Sequence, residues 1–354
     1  MQQLFDMKNF KVLGLALMMI MSLCTQNSYA QDVQMATLQH GDELSVFYGA
    51  DAFAAALEKA DDYDVINLSS GVFNGVSITK PVKIYGAGPV QNDSLNLPET
   101  RVQGVISVAI EDGKGGLHME GINCCYYLNF EEDHPINNAV VSKCKFNQIN
   151  IYSSANNCLF EKCRVILWFN PGLNSQNLVL DNSIVSNISE NLVSSTFLIR
   201  HCIIGRLAVA NKNGDGGLSG ATIYNSVIFS RGGDNTVQYS HCVLNRELNS
   251  IIKQDHTFVV DNILSLFDNL SFDVYQSYPS NYDLPVDNDY ILNEDAIVEN
   301  GIHSSDGTEI GIHGGTSPFT SIPSNPQIVS KEIATETDEE GKLAVKIKVE
   351  AQNK

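Results

Sequence analysis

The sequence predicts an all-β chain wound into a right-handed parallel β-helix. Two observations carry that expectation: a short phrase recurs with a period near twenty residues, and the stretches between copies are brief β-rich runs broken by turn residues. The phrase is a polar residue, then Cys, Ser or Asn, then two or three apolar residues. It reads "VSKCKF" at Cys144, "FEKCRV" at Cys163, "LDNSIV" at Ser183, "IRHCII" at Cys202, "IYNSVI" at Ser226, "YSHCVL" at Cys242 and "VDNILS" at Asn262, in steps of 19, 20, 19, 24, 16 and 20 residues. Between copies, short runs of Val, Ile, Leu, Phe and Tyr alternate with Asn, Ser, Asp and Gly, which suits strands and turns and leaves few helix-length apolar patterns. The leucine spacing of a leucine-rich repeat is absent.

In such a coil each rung stacks about 4.8 Å above the last, so equivalent residues meet in columns. The Cys, Ser and Asn positions then form an inward corner column of small packing residues, because free Cys behaves as a small buried hydrophobe. Stacking holds neighbouring Cβ atoms near 4.8 Å, whereas a disulfide wants about 3.8 Å, so Cys144 and Cys163 are expected to be free thiols. Seven cysteines follow residue 30, an odd number without CxxC spacing, which fits neither a disulfide framework nor a zinc site.

Ahead of the repeats, "DAFAAALEKA" (51–60) places Phe53, Ala56, Leu57 and Ala60 on one helical face, with Asp51 as N-cap. A helix here would cover the open end of the coil, whose strand edges need protection. "DVINLSSGVFNGVSITKPVKIYGAG" follows as short strands punctuated by Gly71, Gly75, Pro81 and Gly86. With its helix, strand, "GVF" turn and "VKIYGAG", residues 51–88 resemble the start of pectin-lyase-like β-helix proteins. "DYILNEDAIVENGIHSSDGTEIGIHGG" (289–315) is similar to the final coil of secreted bacterial members of that superfamily. The resemblance spans residues 45–315 and implies the fold. It implies no single reaction, since the superfamily holds lyases, glycoside hydrolases, esterases, adhesins and members without assigned activity.

At the start, Lys8 and Lys11 precede the apolar run "VLGLALMMIMSL" and the small-residue end "SYA", which reads as a signal peptide over 1–30 with Gln31 as the mature N-terminus. A lipid anchor at Cys24 is the alternative, although Leu23 stands where a lipobox has a small residue. The run is too short to span a bilayer, which takes roughly 20 residues. Export to the periplasm, the cell surface or the medium is therefore expected. A formal charge of −19, made more negative by removal of residues 1–30, argues against nucleic acid as a partner. The β-helix with its cap is expected over 31–315, a Pro/Ser-rich linker over 316–340, and a strand and tail over 341–354. In that strand Leu343, Val345, Ile347 and Val349 alternate with polar residues and would pair with the coil.

Chemistry in such a fold depends on stacking between coils. Counted from the corner residue, Arg206 and Arg246 lie at +4 and Arg231 at +5, with Gln148 and Asn187 also at +4, so three coils would bring arginines into nearly one column. Stacked guanidiniums repel unless an anionic or hydroxyl-rich glycan sits between them; the alternative is solvated side chains paired with Glu190, Glu247 or Asp234. Asp215 and Asp255 fall at +13 and Asp234 on the coil between, the carboxylates a lyase or hydrolase would use. No cofactor is expected; the oxygen-rich turns 211–220 and 287–295 would suit Ca2+, but they read more simply as plain turns without the fixed calcium-loop spacing. His201 and His241 share the position before the corner Cys, yet two coils put them roughly 9.6 Å apart, too far for one zinc ion unless the side chains converge. Trp168 and Phe169 face opposite ways in a strand, so one ring, and likewise one of Tyr126 and Tyr127, would be free to stack on a sugar. The sequence thus reads as a secreted, noncatalytic β-helix that binds carbohydrate, adheres or serves the cell envelope. A polysaccharide lyase or hydrolase using the arginine column and Asp215, Asp234 or Asp255 is the alternative.

Overall fold

The computed structural model describes residues 34–91, 98–189, 191–192, 196–207, 217–218, 221–231, 237–245, 256–268, 270, 284–337 and 339–350. The chain is a β-solenoid. Ten parallel strands stack in one sheet, Gly71–Ile78, Thr100–Val108, Asn123–Phe130, Lys145–Ile151, Arg164–Asn170, Ile184–Ile188, Ile203–Leu207, Val227–Arg231, Val243–Asn245 and Phe258–Val260. The facing sheet has eleven strands. Nine of these are parallel, from Val65–Leu68 to Gln238–Ser240, and the hairpin Met35–His40/Glu43–Tyr48 closes its edge in antiparallel register.

Alternation along each short strand sends one column of each sheet inward. From the eleven-stranded sheet come Ile66, Ile84, Met119, Val141, Phe160, Leu180, Ile199, Ile223 and Tyr239 in register; from the other come Phe73, Val102, Cys124, Phe146, Val165, Val185, Ile204, Ile228 and Leu244. All are buried, and each full side chain removed from water contributes about 1.5–3 kcal/mol. Phe130, Phe160, Phe169 and Phe197 add a ladder of rings with centroids 5.2–6.0 Å apart.

The repeated phrase is the corner between the two sheets. Its polar residue is left-handed in every coil, with φ of 48° at Lys143, 52° at Lys162, 40° at Asn182, 48° at His201, 51° at Asn225 and 50° at His241. The turn redirects the next N–H away from the carbonyls of the neighbouring coil. A side chain from that coil receives it instead: Cys163 N–H donates to Ser183 Oγ and Cys202 N–H to Ser226 Oγ, both at 3.0 Å. Where the receiving residue is Cys, the N–H groups of Ile122, Cys144, Ser183 and Ser226 point to the thiols of Cys144, Cys163, Cys202 and Cys242. From Cys163 to Cys242 each hydroxyl or thiol also donates to the carbonyl two residues back, at 2.7 Å for Ser183, 3.3 Å for Cys163 and 3.1 Å for Cys202. The column is therefore more than small packing: it supplies hydrogen bonds that the backbone cannot make. Burial raises these thiols, to about 12 at Cys163 and Cys242, and all seven cysteines beyond residue 30 are free. The last step differs from the sequence reading, because Val243 pairs with Phe258 and the column continues at Thr257 rather than Asn262.

Helix Ala52–Lys59 buries Phe53, Ala56 and Leu57 as expected, with Phe53 edge-on to Phe73. Asp51 does not cap it; its carboxylate accepts from Asn74 Nδ2 at 2.7 Å, and Lys80 Nζ serves the other helix end through the carbonyls of Leu57, Glu58 and Ala60.

Residues 284–325 form no terminal coil. They lie against the outer face of the ten-stranded sheet and then run lengthwise along the corner. The cause is visible in the doublets Ile184–Val185, Ile203–Ile204, Val227–Ile228 and Val243–Leu244, whose second member faces the interior while the first faces outward and needs cover. Leu284, Val286, Tyr290, Ile302, Ile310 and Ile312 provide it in a second apolar cluster with Phe229 and Phe267. From there the strap meets the left-handed residues in reverse order. Ser305 N–H donates to Asn225 Oδ1, Asp306 meets His201 Nε2 at 2.9 Å, the carbonyls of Ile312 and Gly314 accept from Asn182 Nδ2, Ser317 meets Lys162 and Ser324 meets Lys143. Gly314 is required by the close approach, since an added Cβ would collide with the Glu309 carbonyl and the His201 ring.

Residues 327–337, expected as linker, are a strand that pairs antiparallel with Leu343–Glu350. The predicted strand is present, with its partner in the linker rather than the coil. Val345, Ile347 and Val349 stay about half exposed.

The strap's far end is held by a buried ion pair, Lys143 Nζ to Glu120 Oε1 at 3.1 Å, with Ser324 N–H donating to the same carboxylate. Burial alone would raise the Glu120 carboxyl, but hydrogen bonds from Ser324 and Lys143, with the His118 ring 3.6 Å away, outweigh it and hold the group at about 2. The depressed group stabilises the fold fully above its unfolded value near 4.5, and that contribution disappears as pH falls through about 2. Urea unfolding at successive pH values should show the wild type losing about 2–3 kcal/mol over this window, with Glu120→Gln less stable at neutral pH and flatter below it.

Candidate functional site

Among the described residues, none covers the outer face of the ten-stranded sheet over its N-terminal half, and there polar and aromatic side chains stack. Asn123–Phe130 and Arg164–Asn170 each carry one extra residue after Cys124 and Val165, seen as register shifts against Lys145–Ile151 and Ile184–Ile188. Bulges re-aim the side chains that follow. Beyond them Tyr127, Gln148, Trp168, Asn187, Arg206 and Ser230 stand in register in one column, in which Asn187 is fully buried. Two residues further on, Ser107, Asn129, Asn150 and Asn170 form a second.

The second column is a hydrogen-bonded amide ladder. Asn150 Nδ2 donates to Asn129 Oδ1 at 2.8 Å, while Asn170 Nδ2 and Gln148 Nε2 both donate to Asn150 Oδ1 at 2.6 Å. Asn150 is nearly buried, so the ladder is fixed before any ligand arrives. Gln148, Asn150 and Asn170 line an open cleft of about 400 Å3 with Ile151, Tyr152, Pro171 and Leu173. Tyr152 and Leu173 are exposed at its wall, and Tyr126 and Tyr127 are exposed one coil away. Phe169 is fully buried and Trp168 half-exposed, resolving the expected choice between the two rings.

The predicted site residues divide three ways. Arg206 stands in the first column, half-exposed, in register with Asn187 and Ser230. Arg231 pairs instead with Leu207, one place along, so the expected arginine column does not form between these two coils; the +5 count is a real offset in register. Arg246, Asp215, Asp234 and Asp255 lie outside the described residues. Trp168 stands in the column of Arg206, because its strand carries one more residue in the bulge than Lys145–Ile151. The turn 287–295 serves the fold: Asp287 pairs with Lys145 at 2.7 Å and Arg164 at 3.5 Å, and Asn293 caps helix Glu294–Glu299. Sequence reading missed the amide ladder, although Asn129, Asn150 and Asn170 recur at the coil period and could have been aligned.

This arrangement offers paired amide donors and acceptors beside aromatic faces, repeated about every 4.8 Å. Such a surface suits a ligand that is hydroxyl-rich, ring-shaped and linear. A search of family models, of curated proteins and of solved structures returned no significant match to the chain. Removing the centre of the ladder tests its rigidity: Asn150→Leu strands the amides of Asn129, Asn170 and Gln148, and chemical denaturation should show a loss of about 1–3 kcal/mol.

Proposed function

We propose that the protein is a noncatalytic glycan-binding β-solenoid that works outside the cytoplasm as an adhesive or cell-envelope module. The amide ladder Asn129–Asn150–Asn170, with Gln148 beside half-exposed Trp168 and the exposed Tyr152, is the observation that carries this reading. Amides bind sugar hydroxyls as donor and acceptor at once, and aromatic faces take the apolar face of a pyranose ring. Lys145 and Arg164, the cations on the two strands that carry Asn150 and Asn170, are already engaged by Asp287, which favours a neutral glycan over a polyuronate. Export rests on residues 1–30, which lie outside the described residues, and kinship with pectin-lyase-like proteins rests on the sequence of residues 51–88.

Trp168 is the only tryptophan, so its fluorescence reports on the site directly. The protein is titrated with neutral and uronate oligosaccharides, with and without calcium, while ultraviolet absorbance and reducing ends are followed for turnover. Saturable fluorescence change with a neutral oligosaccharide and no turnover is expected, with Tyr152→Ala or Gln148→Ala weakening binding roughly tenfold or more. Turnover abolished by Arg206→Ala would establish the lyase or hydrolase reading instead. Unchanged fluorescence across the panel would remove the glycan site.

A further inference from the structure

The corner column ends in a cluster of imidazoles. Because Val243 pairs with Phe258, the left-handed residue after His241 in the column is His256, with φ of 58°. The two rings stack in parallel with centroids 4.6 Å apart. The strap adds a third ring: His303 sits edge-to-face on both, at 5.4 Å from His241 and 6.4 Å from His256. His303 is held in place by its neighbours Ile302 and Ser304, both buried, while its own ring and that of His256 remain exposed.

A metal ion about 2.1 Å from each imidazole nitrogen spaces ligating ring centroids roughly 5 Å apart at tetrahedral angles, close to the separations found here. His303 Nδ1 donates to the Gly301 carbonyl at 3.0 Å, which fixes the tautomer and leaves the lone pair on Nε2. His241 Nδ1 is bonded to Ser240 Oγ at 2.9 Å, which orients the second ring. In the present rotamers the rings pack on one another, and among the described residues no three such groups already surround a common point. Rotation of the exposed His256 and His303 rings is what closing the site requires. The pair weighed from sequence, His201 with His241, stays apart; His256 and His303 take the place of His201.

We propose that His241, His256 and His303 bind one divalent transition-metal ion, of the imidazole-preferring class of Zn2+, Ni2+ or Cu2+, which ties the strap to the last coil. The full chain, stripped with chelator, is titrated with Zn2+ by calorimetry and with Co2+ by visible absorption at neutral pH. One equivalent should bind, accompanied by a rise in thermal midpoint and a d–d band. His256→Ala and His303→Ala, both at exposed positions, should each weaken Zn2+ at least tenfold and abolish the midpoint rise, while His134→Ala leaves both unchanged. Absence of stoichiometric binding, or binding that persists undiminished in both variants, would overturn the site. Circular dichroism confirms that the variants keep the wild-type fold, and His303→Gln repeats the test with a side chain that retains bulk.

Discussion

From Gly121 onward each coil passes from one sheet to the other through a residue in the left-handed conformation, and the N–H that follows points away from the carbonyl ladder. A buried N–H without a partner costs about 1–3 kcal/mol, and the solenoid repeats the same corner at every coil. Parallel stacking supplies the remedy, because the equivalent residue of the next coil lies directly above. A small side chain that both accepts and donates, a hydroxyl or thiol, takes the orphan N–H of one coil and returns a hydrogen to its own backbone two residues earlier. This one requirement explains why Cys alternates with Ser at Cys163, Ser183, Cys202, Ser226 and Cys242.

The same corner decides where the C-terminal segment goes. Side chains of left-handed residues leave the coil sideways, and in Lys143, Lys162, Asn182, His201 and Asn225 they carry polar groups that are buried only because the strap supplies partners. Residues 284–312 meanwhile cover the outward apolar members of the strand doublets. With the C-terminal half of that face and the corner occupied, the surface that stays open among the described residues is the N-terminal half, where the amide ladder and aromatic rings are displayed. Scaffold and candidate site are thus set by one stacking geometry.

Much of this was legible in the sequence. The period gave the solenoid, the corner column and six of its seven aligned positions, since like residues must meet when rungs stack. The seventh, Asn262, was misplaced because the final coil is short and Thr257 disguises the pattern. Position along the strand was less legible than position at the corner: a bulge shifts Trp168 into the column of Arg206, and counting from Cys cannot detect a bulge, whereas Arg231 lies one place past Arg206's partner in an unbulged pair, as its +5 count indicates. The strap was hidden for another reason. Doublets such as Ile203–Ile204 announce a strand apolar on both faces, but only the fold shows that residues 284–312 return to cover it. Likewise the alternation in Leu343–Val349 revealed a strand without revealing that residues 327–337 pair with it.

The most direct measurement compares Cys163→Ser with Cys163→Ala by equilibrium denaturation. If the corner side chain is there to receive the Cys144 N–H and to serve the Glu161 carbonyl, serine preserves both bonds, and alanine should be the less stable by about 1–3 kcal/mol despite its apolar character. Alanine equal to serine, or more stable than it, would show that the column is held by packing alone and would contradict this account.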